Sequence, residues 1–338
     1  MERILIVTVN WLGDAILTTP VFRALKKKFP ASYIGVMAVE RVAEVYRDNP
    51  YIDEVIIFNE KNAHRSLSAK IKFIKFLKDR NFNMAFLIHR SFSRALICFF
   101  AGIKRRFGYK RHKNLFILTD KINPPVGLVH RQDYYLYLFE KSGITINERL
   151  PVFFVPNKER DDIGKLLDQI SKKHPFIVGI NPSANWLPKR WPQEYVATLS
   201  DRLINDLNCA VVFIGAEKEN DIIQDIIQKM QCCPYNFCGK TTLKELGALI
   251  AKMNLFISND SGPAHLSASL KIPTLVLFGP TSEKITSPRG NLVKIIRKEV
   301  NCKIPCYKIN CPDNICMKKI SVDEVFLEAK NILLRKDI

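Results

Sequence analysis

Short apolar, β-branched runs alternate with amphipathic helices along this chain, and no other feature constrains the fold as strongly. The first run, RILIVTV from Arg3 to Val9, has no polar face, which is typical of a strand buried in a parallel sheet. A helix from about Ala15 to Phe29 is predicted next, and strand-helix pairs continue to a basic turn at Gly102 to Arg106. This spacing predicts an α/β protein with a doubly wound parallel sheet.

The alternation occurs twice. An extended segment, Pro151 to Pro156, follows the first series, and the pattern restarts with a strand at Phe176 to Ile180. A length of 338 residues suits two domains of ordinary size. We therefore predict one domain over residues 1–160 and a second over 161–320. A last helical segment, 321–338, is expected to pack back on the first domain.

The stretch Leu255 to Pro280 reads as one β-α-β unit with a polar turn between its first strand and its helix. The turn, Asn259-Asp260-Ser261-Gly262-Pro263, falls where a strand ends and a helix begins. Unpaired N–H groups at a helix start favour a bound anion, and a glycine there lets a ligand approach the backbone. The alternative is an ordinary capped helix, with Asp260 or Ser261 as the cap.

Other loops that follow predicted strands also carry side chains able to do chemistry, and such loops meet at one edge of a parallel sheet. Asp14 could accept a proton from a hydroxyl, or could only cap a helix. Lys189 could neutralise a phosphate. Glu217 could hold ribose hydroxyls, or be an acidic residue at a helix start. His265 could donate to a phosphate, although a single helical histidine is more often a core or surface residue.

Charge is concentrated in one part of the chain. The formal net charge is +19, and 17 basic residues against two acids lie between Lys61 and Arg131. Such an excess indicates a polyanionic partner: nucleic acid, an anionic membrane surface or a phosphorylated substrate. The alternative is a solvated basic face without a partner.

Targeting and redox features are few. The N-terminus enters a strand directly, without the basic start and long apolar run of a signal peptide, and no apolar run is long enough to span a membrane. A cytoplasmic protein is therefore expected. Nine cysteines in such a chain argue against a disulfide framework. Cys302, Cys306, Cys311 and Cys316 lack the two-residue spacing usual in zinc sites, so reduced thiols are favoured over a metal.

Three motifs together resemble the heptosyltransferases that build the lipopolysaccharide inner core, which are inverting glycosyltransferases of the GT-B fold. The NWLGD loop is similar to the family's W-V-G-D, SANWLPKRWP to its K-R-W-P segment, and NDSGPAHLSASLKIPTLVLFGPTSE to its D-S-G-x-x-H and F-G-P-T signature. NWLGD and the CPDNICMKKISVDEV tail look most like the type II members. The resemblance covers nearly the whole chain and leaves the acceptor pocket unmatched.

The resemblance implies two Rossmann-like domains facing a cleft, with ADP-heptose on the second and the acceptor on the first. Asp14 is the implied general base. Lys189 and the N–H groups at Ser261 and Gly262 would stabilise the departing diphosphate. The other residues implied to bind the donor are Asp260 and His265, which would hold the sugar and phosphate, Glu217, which would hold the ribose, and Thr241, which would lie near the adenine. Neither a metal nor another cofactor is implied.

The implied acceptor is a phosphorylated, Kdo-containing lipid at the cytoplasmic face of the inner membrane, which gives the basic segment a role. Arg90, Arg94 and Lys104 to Arg106 follow the fourth strand, and Arg90 and Arg94 are expected to contact the acceptor. The remaining lysines would hold the enzyme against anionic lipid. Two alternatives stay open: a GT-B enzyme that uses another sugar nucleotide, and a nucleic-acid-binding protein that uses residues 61–131. Nucleic acid is the less favoured because the aromatic residues fall largely in apolar periodic positions rather than on an open platform.

Overall fold

The chain is described by a computed structural model that covers residues 1–111 and 116–334. It divides into two compact units, Met1–Phe154 and Val155–Ile338. One lysine of the basic segment, Lys113, and the last four residues of the predicted C-terminal segment lie outside the described residues.

A six-stranded parallel sheet forms the centre of the first unit, in the order β3-β2-β1-β4-β5-β6. Its strands are β1 (Arg3–Val7), β2 (Tyr33–Ala38), β3 (Glu54–Ile57), β4 (Met84–Leu87), β5 (Arg105–Tyr109) and β6 (Asp120–Ile122). Its helices are α1 (Leu12–Leu17), α2 (Pro20–Lys28), α3 (Glu40–Ala43), α4 (Leu67–Asp79), α5 (Phe92–Phe100) and α6 (Arg131–Glu140). The order of the strands reverses between β1 and β4, so the loops after these two strands flank the point where doubly wound sheets bind ligands.

The second unit repeats this order. Its parallel sheet runs β12-β11-β10-β7-β8-β9, with the reversal between β7 and β10. Its strands are β7 (Phe176–Asn181), β8 (Cys209–Phe213), β9 (Tyr235–Asn236), β10 (Leu255–Asn259), β11 (Thr274–Phe278) and β12 (Val293–Arg297). Its helices are α7 (Asn157–Ser171), α8 (Gln193–Leu207), α9 (Asn220–Gln228), α10 (Leu243–Ile250), α11 (Gly262–Ser269), α12 (Glu283–Thr286), α13 (Ile315–Lys318) and α14 (Val322–Leu334), with 3-10 turns at Leu187–Lys189 and Glu217–Glu219. The prediction of two doubly wound α/β domains is therefore confirmed.

The helix predicted from Ala15 to Phe29 is wrong in detail, because the structure has two helices there. Thr18 and Thr19 separate α1 from α2, and their hydroxyls donate to the carbonyls of Ala15 and Ile16 at 2.7 and 2.8 Å. Pro20 occupies the first position of α2, where its missing N–H costs nothing. Because α1 begins at Leu12, Asp14 lies in a helical turn rather than in a loop.

The basic turn predicted at Gly102 to Arg106 is also wrong in part, since Arg105 and Arg106 belong to β5. Arg106 is only 9% exposed, and its guanidinium donates to the carbonyls of Ile103 and Ile117. Its charge therefore stabilises the local backbone and is not available at the surface.

The last helix, α14, packs through its apolar face. Val325, Phe326 and Ala329 are buried in the core of the second unit, where α14 packs against α8. The indole of Trp191 donates to the carbonyl of Ile320 at 3.0 Å and fixes the chain just before this helix. The described part of this segment thus contributes to the core of the second unit.

Candidate active site

Asp14 lies just after β1, where the first sheet reverses its order. The N-cap of α1 is Trp11, which has extended backbone angles and makes no side-chain cap hydrogen bond. Asp14 is therefore not the cap residue, which removes the alternative role that the sequence left open. Its side chain is 24% exposed, and its Oδ1 lies 3.9 Å from Nε of Arg131.

Two tyrosines surround the Asp14 carboxylate. Burial raises the pKa of Tyr135, and the charge of Asp14 and a hydrogen bond to it raise that pKa further. Burial likewise raises the pKa of Tyr46 to about 12, with a smaller contribution from Asp14. Both phenols are therefore neutral at physiological pH, and Tyr135 is a hydrogen-bond donor to Asp14. An ionised Asp14 is stabilised by this donor and by Arg131, and it keeps a partly exposed face for a ligand hydroxyl.

Side chains from the β1 and β4 loops meet in a polar cluster, which includes the part of the β1 loop that precedes Asp14. Asn10 Nδ2 lies 3.0 Å from His89 Nε2, and Arg94 donates to Asn10 Oδ1 at 3.0 Å and to the carbonyl of Thr8 at 3.1 Å. Burial, followed by the positive charge of Arg94, lowers the pKa of His89 to about 4. His89 is thus a neutral imidazole that fixes the β1 loop to the β4 loop.

The two arginines expected to bind the acceptor have different surroundings. Arg90 is exposed, and its Cζ lies 4.5 Å from the ring centroid of Tyr134. It lines a small surface pocket together with Arg111 and His89. Arg94, in contrast, is 2% exposed and donates to backbone and amide oxygens. Direct acceptor contact by Arg94 is contradicted by this burial, and its guanidinium instead orders the loop that precedes Asp14.

In the second unit, a buried ion pair lies where β10 ends. Lys189 Nζ is 2.6 Å from Asp260 Oδ2, and the hydroxyl of Thr281 donates to the same oxygen at 2.7 Å. The side chains of Asp260 and Lys189 are 5% and 21% exposed. Loops from three strands therefore converge on one carboxylate, and they hold a lysine ammonium beside the start of α11.

The start of α11 remains open to a ligand because the side chain of its N-cap residue is used elsewhere. Ser261 makes no side-chain cap hydrogen bond, and its hydroxyl accepts from Asn181 Nδ2 at 2.8 Å and contacts Ser258 Oγ at 3.0 Å. Gly262 and Pro263 form the first helical positions. The backbone N–H groups and the helix dipole here favour an anion, next to the Lys189 ammonium.

The remaining predicted donor residues lie along the carboxyl edge of the second sheet. His265 is buried one turn into α11, at 7% exposure. Glu217 is exposed in the 3-10 turn after β8, and Thr241 is half-buried after β9. In the sheet order, β8 lies beside β7 and β9 beside β8, so Glu217 and Thr241 follow strands on the side of β7 away from β10 and α11.

Sequence reasoning missed several residues that shape the Asp14 site and the Lys189–Asp260 site. Glu219 accepts from Ser183 Oγ at 2.6 Å and from the N–H of Ala216 at 2.8 Å, which links the β7 and β8 loops. Asn181 is the last residue of β7 and Thr281 follows β11 by three residues, but the sequence does not reveal which loop their side chains reach. Tyr135 carries no signal at all, because it lies in a helix rich in aromatic residues.

The whole chain is similar to proteins of one family. The sequence model of Glycosyltransferase family 9 (heptosyltransferase) matches residues 70–315. The chain belongs to glycosyltransferase family 9. The lipooligosaccharide heptosyltransferase 2 of Haemophilus influenzae is 30% identical over 308 residues, which is 87% of this chain and 88% of that protein. The Campylobacter jejuni protein of the same name, from serotype O:2, is 29% identical over 339 residues, 98% of each chain.

Solved structures show the same fold. The glycosyl transferase family 9 protein of Veillonella parvula superposes with a TM-score of 0.86 at 23% identity, covering 98% of this chain and 97% of that one. E. coli ADP-heptose lps heptosyltransferase II gives a TM-score of 0.83 at 24% identity over the full length of both chains. This family 9 chain is a glycosyltransferase of the heptosyltransferase type, with the two Rossmann-like domains of the GT-B fold.

Two further expectations concern metals and membranes. All nine cysteines of this family 9 protein are free thiols, with Cys302 exposed and Cys316 buried. Within residues 1–111 and 116–334, no group of three or more His, Cys, Asp or Glu side chains is placed to hold a metal ion. None of the helices described is both long and apolar enough to cross a membrane.

Proposed function

We propose that this family 9 glycosyltransferase moves a heptose from ADP-heptose to the inner core of lipopolysaccharide, as a type II enzyme. Support comes from the names of its relatives and, above all, from the Lys189–Asp260 pair beside the open start of α11. A cation next to unpaired N–H groups suits the diphosphate of a nucleotide sugar. The acceptor is a Kdo-containing lipid, and the site of action is the cytoplasmic face of the inner membrane.

The reaction begins with Asp14 as general base. Its carboxylate takes the proton of the acceptor hydroxyl while the oxygen attacks the anomeric carbon of the heptose, and the bond from that carbon to ADP breaks with its electron pair on the phosphate. The configuration at the anomeric carbon is inverted. Tyr135 donates a hydrogen bond to Asp14, and Arg131 Nε lies 3.9 Å from its Oδ1, so these two residues hold the carboxylate in place before the reaction.

The leaving diphosphate is stabilised by groups of the second unit. Lys189 and the N–H groups at Ser261 and Gly262 offset the charge that develops on ADP, in the manner of an oxyanion hole. Asp260 and His265 orient the heptose and the adjacent phosphate. In the same proposal Glu217 accepts from the ribose hydroxyls and Thr241 lies beside the adenine. The proposed step uses no metal and no other cofactor.

For the acceptor, Arg90 is the proposed direct contact, because it is exposed next to an open pocket that Arg111 also lines. Arg94 acts indirectly: it holds Asn10 and Thr8, and so the loop from which α1 and Asp14 begin. The excess of lysine and arginine over residues 61–131 is proposed to hold the enzyme against an anionic membrane surface rather than against nucleic acid.

A donor panel tests this proposal. The protein is incubated with ADP-heptose, UDP-sugars or GDP-sugars, each with and without an inner-core acceptor that carries one heptose, and the released nucleotide is measured. Acceptor-dependent release of ADP from ADP-heptose alone is expected. Release from a UDP- or GDP-sugar instead would identify another GT-B transferase. Duplex DNA that suppresses the release at low salt would favour the nucleic-acid alternative.

A further inference from the structure

Two neighbouring helices of the first unit, α4 and α5, have apolar side chains on both their inner and outer faces. The inner face of α4 packs into the core through Phe73 and Leu77, and that of α5 through Ala95, Ile97 and Cys98. On the outer side, six large apolar residues remain between 38% and 75% exposed. They are Leu67, Ile71 and Phe76 of α4 and Phe92, Phe99 and Phe100 of α5. α4 packs directly against α5, and the solvent-exposed sides of these two helices are here termed the α4–α5 face.

The exposed residues are arranged in strips. On α4, Leu67, Ile71, Lys75 and Lys78 follow one another at intervals of four, four and three residues, which places them on one side of the helix. On α5, Phe92 and Phe99 are separated by two turns, and Phe100 is adjacent. Both strips face solvent, so their apolar area is not required by the core of the unit.

Lysines border this apolar area. Lys72, Lys75 and Lys78 are exposed on α4, and none of the three pairs with an acid among the residues that the structure describes. The only acid in α4 is Asp79, its last residue. A surface that combines exposed phenylalanine, leucine and isoleucine with unpaired lysines carries both an apolar and a positively charged component.

This combination identifies the kind of partner. Lysine is depleted in the cores of protein–protein interfaces, which argues against a protein as the main occupant. Basic helices with phenylalanine and leucine on one side instead bind at the boundary between lipid headgroups and acyl chains, and anionic headgroups attract their lysines. We infer that the α4–α5 face is the membrane-docking surface of this protein, with its apolar side chains inserted into an anionic bilayer.

The position of the face agrees with the proposed acceptor site, on which this inference builds. Both helices begin at the carboxyl edge of the sheet, and Phe92 follows Arg90 by only two residues. A lipid-linked acceptor would therefore reach Arg90 at the end of the α4–α5 face that adjoins the sheet edge, without leaving the bilayer.

Co-sedimentation with lipid vesicles tests the inference without donor or acceptor. Wild-type protein is mixed with vesicles of phosphatidylglycerol and phosphatidylethanolamine, or of phosphatidylcholine alone. We expect binding to the anionic vesicles that weakens with salt. The substitutions Leu67→Ser, Ile71→Ser and Phe100→Ser, made together at the three most exposed apolar positions, should weaken binding at least about tenfold. Combined Lys72→Gln, Lys75→Gln and Lys78→Gln should weaken it on the order of a hundredfold.

Matched controls lie in the second unit. Leu166→Ser with Leu327→Ser removes leucines that are 52% and 57% exposed, and Lys165→Gln, Lys172→Gln and Lys229→Gln together remove three exposed lysines. Both controls should bind vesicles like wild type. Equal vesicle binding by wild type, both α4–α5 variants and both controls overturns the inference, as does a wild-type protein that binds no anionic vesicle.

Two further measurements distinguish membrane docking from dimer formation and from a change in catalysis. Sedimentation velocity without lipid would detect a dimer, and a dimer lost only in the apolar α4–α5 variant would make the face a contact between copies and overturn membrane docking. ADP release with a water-soluble core oligosaccharide as acceptor should be unchanged in all variants. Failure of that release in wild type refutes the proposed function, whereas the vesicle result stands independently of it.

Discussion

The ion pair between Lys189 and Asp260 allows a test in which two substitutions at one site have opposite effects on ADP binding. If Lys189 binds the diphosphate, Lys189→Met removes a charge-assisted contact worth about 1.5–3 kcal/mol and keeps most of the apolar stem. ADP affinity should then fall about tenfold to a hundredfold. Asp260→Asn removes a negative charge next to the bound anion, so ADP affinity should rise.

The size of the second effect follows from the geometry. Asp260 Oδ2 lies 2.6 Å from Lys189 Nζ. A phosphate oxygen in contact with the ammonium on its other side would be about 5 Å from the carboxylate, given charge-assisted contacts of about 2.8 Å. At an effective dielectric constant of about 20, two unit charges at that separation repel by about 3 kcal/mol. Lys189 is 21% exposed, so solvent reduces this value, and an increase of about tenfold in ADP affinity is expected.

Isothermal titration calorimetry with ADP and with adenosine measures both effects. Adenosine lacks the diphosphate, so its affinity should be the same for wild type, Lys189→Met and Asp260→Asn. Turnover with ADP-heptose should fall in Asp260→Asn despite the tighter ADP, because the residue is proposed to orient the sugar. The reasoning is refuted if Asp260→Asn weakens ADP binding, or if Lys189→Met lowers ADP and adenosine affinity equally.

Three further predictions concern separate parts of the molecule. Asp14→Asn should leave the affinity for ADP-heptose unchanged and lower kcat about a hundredfold or more, and steady-state kinetics with unaltered kcat would exclude Asp14 as the base. The pKa of His89 is lowered to about 4 from an ordinary value near 6.5, so the residue is neutral in the folded protein. Its contribution to the free energy of unfolding is therefore complete above pH 6.5 and is lost as the pH falls toward 4. The full loss between pH 6.5 and pH 4 is about 2 kcal/mol after allowance for partial exposure, and urea unfolding at pH 7 and pH 5 should detect part of it. The substitution His89→Gln should make the free energy of unfolding less dependent on pH. Gly279→Ala should destabilise the second unit by about 1–3 kcal/mol, because an added Cβ would lie 2.4 Å from Sδ of Met317, and thermal unfolding by circular dichroism measures this.

The sequence was sufficient to predict the sheets and the loops that matter, because buried parallel strands have a composition that local reasoning detects. RILIVTV and LFIS are both strand cores, and Asp14 and Asp260 follow them closely in the chain. Strand order then brings the β1 and β4 loops together in one unit and the β7 and β10 loops in the other. The ends of strands are therefore informative about function even before any contact is known.

The errors about Arg94 and Arg106 share one physical cause, which is that burial of a charged side chain depends on hydrogen-bond acceptors that the fold supplies. Arg94 looked like an exposed cation after β4, yet it donates to Thr8 and Asn10, more than eighty residues away. Arg106 is satisfied by carbonyls that only the fold brings near it. The exposed apolar residues of α4 could not be predicted from the sequence either. A pattern with a period of 3.6 residues shows which positions are apolar, but not which side of the helix faces the core.

The two units have the same strand order, and the proposed division of donor and acceptor binding between them would account for the uneven distribution of charge along the chain. In the proposed function, donor binding needs few cations, because Lys189 is joined by backbone N–H groups at the start of α11, which add no formal charge. A phosphorylated lipid acceptor and an anionic bilayer offer many negative charges spread over an area, which only side-chain cations can match. The lysines and arginines of residues 61–131 therefore belong to the unit proposed to bind acceptor and membrane, and the donor unit needs no such excess.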